Sequence, residues 1–167
     1  MKKFLIGMAV MAMATVLSAE SYMQCKKVYD GGSAAEYDRL GKAYYTGKGA
    51  KRDYGVAIMY HYKACMMGHA QGCNHAGYMY DQGQGVRQDY SIARKYFARA
   101  CSLGSGIGCS NLGVIYERGQ SVKQNSFTAK KYYKKACNLG CEEGCYNFQT
   151  VYVRGEDTEF DKRKRWH

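Results

Sequence analysis

Residues Leu112–Cys145 read LGVIYERGQSVKQNSFTAKKYYKKACNLGCEEGC, and this stretch decides the fold because the chain carries it nearly three times. A shift of thirty-six residues places Gly113, Tyr116, Gly119, Ala129, Tyr132, Ala136, Cys137, Gly140, Gly144 and Cys145 on Gly77, Tyr80, Gly83, Ala93, Tyr96, Ala100, Cys101, Gly104, Gly108 and Cys109. A second shift places them on Gly41, Tyr44, Gly47, Ala57, Tyr60, Ala64, Cys65, Gly68, Gly72 and Cys73. Self-similarity at this period marks a stacked array, because one such unit cannot bury its apolar face without a neighbour.

Each unit holds two helical patterns. In the first, Tyr37, Leu40, Gly41 and Tyr44 stand at i, i+3, i+4 and i+7, the stripe of an amphipathic helix. Cys73, Ala76, Gly77 and Tyr80 repeat it, as do Cys109, Leu112, Gly113 and Tyr116. Glycine is a poor helix former, so its recurrence on the stripe predicts that the backbone of another helix crosses there. Gly47-Lys48-Gly49 and Gly83-Gln84-Gly85 end the helix with residues that tolerate positive φ. The second helix opens at Asp53, Asp89 or Asn125, whose side-chain oxygens can accept from the open amides of a first turn. Its stripe sets small alanines one turn from Tyr60, Tyr96 and Tyr132. Most of the tyrosines are therefore read as packing.

The expected architecture is all-α, an αα-hairpin repeat solenoid of about three and a half units stapled by disulfides. The units run 33–68, 69–104 and 105–140, with a capping half-unit at 141–155 in which Gln149 replaces the recurring glycine. A short arm, 20–32, precedes them, and a charged tail, 156–167, follows with Lys162-Arg163-Lys164-Arg165.

Lys2 and Lys3 followed by an apolar run from Phe4 to Leu17 have the layout of a secretory signal peptide, expected to be removed near Ala19. The run is too short for the roughly 20 residues of a membrane-spanning helix. The expected protein is secreted or periplasmic, without a membrane anchor. Its remaining 23 basic and 14 acidic residues give a net charge near +9. Such a charge favours anionic partners and says nothing of fold. Nucleic acid is not an expected partner of an exported chain. The sequence contains no proline, which suits helices joined by glycine turns.

All eight cysteines lie beyond the signal segment, as in an exported disulfide framework. Cys65–Cys73, Cys101–Cys109 and Cys137–Cys145 are each eight apart. On one continuous helix they would be about 12 Å apart, beyond the roughly 4.4–6.8 Å that a bridge spans. Gly68, Gly104 and Gly140 supply the reversal between them. Each bridge is expected to contribute about 2.5 kcal/mol by loop closure. Cys25 and Cys141 are left over: a bond between them, a reshuffled bridge near 137–145, a free thiol and an intermolecular dimer all stay open. The chain is accordingly expected as a monomer, or a dimer through a spare cysteine.

His61, Cys65, His69 and Cys73 form a ladder of zinc-ligand residue types. In the other units Phe97 and Tyr133 replace His61, and Ser105 and Cys141 replace His69, while the cysteines recur. The bridge has its own reason to exist, so no metal and no cofactor is expected.

The pattern Leu-Gly-x-x-Tyr-x-x-Gly-x-Gly, then Ala-x-x-Tyr-x-x-Ala-Cys, resembles the Sel-1-like repeat, a relative of the tetratricopeptide repeat. With the thirty-six-residue period and the Cys-x7-Cys bridge, residues 33–155 resemble the Helicobacter cysteine-rich protein family of secreted solenoids. That resemblance implies penicillin binding with slow β-lactamase activity, a hydrolase reading, and the fold implies protein or peptide recognition. The sequence contains no Ser-x-x-Lys, Ser-Asp-Asn or Lys-Thr-Gly element of the serine enzymes, and no catalytic residue is named from it. For binding, two rows of the first-type helices differ between units and are the candidate groove residues: Asp38, Asn74, Ser110 and Tyr146, and beside them Arg39, His75, Asn111 and Asn147. Side-chain amides and cations of this kind can hold a peptide, a protein segment, or a peptidoglycan-like or β-lactam ligand.

Overall fold

The computed structural model of the chain describes residues 32–155, with side chains as far as Val151. The expected signal peptide, the arm as far as Gly31 with Cys25, and the tail 156–167 lie outside the described residues. Within them are seven helices and no strand: α1 (Ala34–Thr46), α2 (Tyr54–Met66), α3 (Ala70–Gln82), α4 (Tyr90–Ser102), α5 (Gly106–Arg118), α6 (Ser126–Asn138) and α7 (Glu142–Gly155). None of them is long and apolar enough to cross a membrane.

Local chemistry sets the starts of the first six helices and the ends of α1, α3 and α5. Asp53, Asp89 and Asn125 cap α2, α4 and α6 by accepting from Val56, Ile92 and Thr128 amides at 2.8–3.0 Å, as their residue types predict. The first-type helices have their own cap row: Ser33 in a reciprocal capping box with Glu36, then His69 and Ser105. The Gly72 amide donates to His69 Nδ1 at 3.2 Å, and the Gly108 amide to Ser105 Oγ at 3.0 Å. Cys141 occupies the same register ahead of α7. Gly47, Gly83 and Gly119 end α1, α3 and α5 in the left-handed region, φ 68–76°. Ser121, at φ 61°, holds the left-handed position that glycine fills at Gly49 and Gly85.

Helices of one hairpin pack tightly, and each second-type helix also packs on the first-type helix that follows it. The joints are alike. Tyr44 stacks on Tyr60, Tyr80 on Tyr96 and Tyr116 on Tyr132, each pair with ring centroids 5.6 Å apart, so these rings are packing elements. The glycines of the apolar stripe have a different neighbour from the one the sequence predicts. A Cβ at Gly41, Gly77 or Gly113 would strike the ring of His61, Phe97 or Tyr133. They make room for a side chain, not a crossing backbone. Close backbone approach occurs one turn earlier, where a Cβ at Gly72 would lie 2.6 Å from Ala64 Cβ and 3.1 Å from the Cys65 nitrogen. Gly108 and Gly144 do the same against Ala100 and Ala136.

That approach brings the cysteines together. Cys65–Cys73, Cys101–Cys109 and Cys137–Cys145 are bridged with Cα atoms 4.4–4.5 Å apart. Cys141 is free and half-buried, packed beside the Cys101, Cys109 and Ala136 cluster. Successive first-type helices also touch, α1 with α3, α3 with α5 and α5 with α7, more closely than the second-type helices meet one another. The first-type helices therefore lie on the inner side of the stack.

Candidate functional site

Asp38 projects from α1 into the seam between the first two units and is 2% exposed. Burial of a carboxylate is costly unless it is paired, and four side chains surround this one. Its Oδ1 lies 2.9 Å from His61 Nδ1 of α2 and 2.8 Å from His75 Nδ1 of α3. Its Oδ2 is 3.0 Å from the Lys42 ammonium one turn along α1 and 4.0 Å from His69 Nδ1. The rings of His61 and His75 are 4.7 Å apart. Burial pushes the Asp38 carboxyl up, but the hydrogen bonds from His61, His75 and Lys42 outweigh it and hold it well below the usual carboxylate range. Burial pushes His61 the other way, below the ordinary imidazole value, against the raising effect of Asp38. Both shifts describe one arrangement: an ionised Asp38 accepting Nδ1–H from a neutral His61.

Above this cluster a groove of about 310 Å³ opens between α1 and α3. Tyr45 and Thr46 line one side and Tyr78 and Met79 the other, with His61 and His75 at its base and Lys42 at its edge. The Tyr45 hydroxyl donates to Gln84 Oε1 at 2.8 Å and ties the end of α1 to the loop after α3. Lys42 is about half-exposed and His75 is 30% exposed, so both meet solvent while His61 and Asp38 do not.

The two candidate rows separate into an inside and an outside. Asp38, Asn74 and Ser110 are buried in the seams between first-type helices, whereas Tyr146 and Arg39 are exposed. His75, Asn111 and Asn147 are half-buried. The rows are joined across the seams: Asn111 donates to Asn74 Oδ1 at 2.9 Å in the register in which His75 meets Asp38. At the third seam Ser110 Oγ has no hydrogen-bond partner. His69 is a helix cap, and the Cys65 and Cys73 sulfurs are bonded to each other and so are not available as thiolate ligands.

Residues 37–69, 70–105 and 106–141 each match the Sel1 repeat. The chain belongs to the Sel1 repeat family. Repeats of this family are in general protein-interaction modules. A search of curated proteins finds no match. Among solved structures the chain is similar to a protective antigen of uropathogenic Escherichia coli strains displaying an SLR fold, with a TM-score of 0.73 and 28% identity over 78% of this chain and 28% of that one. A Sel1 repeat protein from Oxalobacter formigenes matches with a TM-score of 0.71 and 26% identity over 75% of this chain and 52% of that one. Helicobacter pylori cysteine rich protein B matches with a TM-score of 0.58 and 28% identity over 72% of this chain and 91% of that one. This Sel1 array thus spans about a quarter and a half of the length of the first two.

Proposed function

We propose that this Sel1 array is a secreted or periplasmic recognition module that holds a peptide, a protein segment or a peptidoglycan-like fragment along its inner face. The groove between α1 and α3 is the observation that carries this reading. Two tyrosines and a methionine offer apolar walls, and a half-exposed ammonium and a partly exposed imidazole offer polar contacts at fixed positions. Small-ligand sites share this make-up of apolar walls and a few placed polar groups. His75, Asn111 and Asn147 continue the polar contacts from unit to unit. The three bridges hold the helices in place and lower the ordering cost of binding. They also fit an oxidising compartment.

The test is calorimetric titration of the oxidised protein with soluble muropeptides and with peptides ending in a free carboxylate. A paired Tyr45→Ala/Tyr78→Ala variant removes both aromatic walls. Saturable binding lost in the variant supports the reading, and no binding by the wild type to either class overturns it. The same samples test the β-lactamase reading that rests on family resemblance. Turnover of a penicillin by wild type, abolished in the variant, would replace recognition with catalysis at this groove.

A further inference from the structure

We propose that Asp38, His61 and His75 form a binding site for one divalent transition-metal ion at the base of the α1–α3 groove. Three elements deliver one ligand atom each, and the three atoms lie within 4.8 Å of one another. Asp38 Oδ1 is already within 2.9 Å of both imidazole Nδ1 atoms. In a tetrahedral zinc site with bonds near 2.0 Å, neighbouring donors stand about 3.3 Å apart, so an ion is admitted when the two Oδ1–Nδ1 edges open by about 0.4 Å and the two imidazole nitrogens settle to the same separation. The ion takes Nδ1 of each ring, so each bound imidazole keeps a single proton on Nε2 and any further proton is released to solvent, as metal binding requires.

Two imidazoles and one carboxylate select zinc and its first-row neighbours over calcium or magnesium, which prefer oxygen ligands. Lys42 on Oδ2 leaves Oδ1 as the ligand atom and holds the carboxylate through its other oxygen. His61 and Asp38 are buried, and His75 faces the groove. The fourth position therefore opens toward the groove and can take a water or a donor atom of a groove ligand, the layout of a site with an open coordination position. The site belongs to the first seam alone: Asn74, Phe97 and Asn111 stand at the corresponding positions of the second. It stands independently of whether the groove holds a peptide.

The repeat itself supplies substitutions that the fold accommodates: Asp38→Asn, His61→Phe and His75→Asn each install the residue found one unit later. The experiment titrates the oxidised, untagged, chelator-stripped full chain with Co²⁺ and Zn²⁺, in a Cys25→Ser/Cys141→Ser background so that neither left-over cysteine contributes a thiol. Binding is read by calorimetry and by the visible d–d bands of Co²⁺. One equivalent is expected to bind. Since outer partners of a metal site already carry about 10–100-fold in affinity, each of the three variants should lose roughly a hundredfold or more. Glu142→Gln, which removes an exposed carboxylate at the far end of the array, should leave binding unchanged. No saturable binding, equal binding in the three variants, or loss in Glu142→Gln alone would each overturn the site. Far-UV circular dichroism on every variant confirms that the array is still folded.

Discussion

Asn111 donates its side-chain amide to Asn74 Oδ1 across the second seam, thirty-seven residues apart, the same separation at which His75 meets Asp38 across the first. The polar ladder between first-type helices is thus one register filled with different chemistry at each step. Replacing Asn111 by Ala leaves the buried Asn74 amide without that partner and is expected to cost about 1–2 kcal/mol. The Asn74→Ala/Asn111→Ala double variant should recover part of the loss. Urea unfolding of both, compared with each single variant, measures it.

Cys141 holds the cap register that Ser33, His69 and Ser105 fill with a hydrogen-bond acceptor. Sulfur accepts weakly. Cys141→Ser gives the Gly144 amide an oxygen to reach and is expected to raise stability by about 0.5–1 kcal/mol. An unchanged or lower denaturation midpoint would contradict the assignment.

Ser121 carries a φ of 61°, where the matching loop positions are Gly49 and Gly85. A side chain there costs about 1–2 kcal/mol, partly offset because glycine loses more freedom on folding. Ser121→Gly should stabilise the third unit by about 0.5–1 kcal/mol. Thermal unfolding detects a shift of that size.

His61 gives the array a pH dependence of known sign. Its folded-state pKa lies below the ordinary value of 6.5 because it is buried. As pH falls below 6.5 the unfolded chain takes up a proton that the folded chain refuses. Stability from this group is therefore present above 6.5 and lost on acidification, with a slope of at most about 1.4 kcal/mol per pH unit. Asp38 and Lys42 of α1, the cap residue His69 and His75 of α3 face the same cluster. His61→Phe should flatten the stability profile between pH 6.5 and 5 in chelator-treated protein. Denaturant midpoints across that range decide the matter.

Much of this fold is legible in the chain because it is written three times. The caps at Asp53, Asp89 and Asn125, the closing glycines and the three Cys-x7-Cys bridges each follow from local chemistry that recurs in register. The role of Gly41, Gly77 and Gly113 was not legible, since a missing Cβ can face a ring as readily as a backbone, and sequence spacing does not say which. The Asp38 cluster lay hidden for a related reason. Its partners sit 23 and 37 residues away on two other helices, and Asp38 itself belongs to a row that reads as groove-facing. A signal was present all the same. Asp38, His61 and His75 stand at positions that vary from unit to unit, with Asn74, Phe97 and Asn111 one unit later, and in the first seam all three carry metal-ligand or titratable chemistry in one layer.

The bridges have a further consequence in how such a chain can lengthen. Each joins the last turn of one hairpin to the first turn of the next, so the segment 69–104 carries Cys73 and Cys101, bonded to Cys65 before it and Cys109 after it. Duplicating that segment in the gene would insert a hairpin whose leading thiol finds the preceding unit and whose trailing thiol finds the following one. Growth by whole units leaves no half-cystine orphaned, whereas duplicating a segment that carries a single cysteine does.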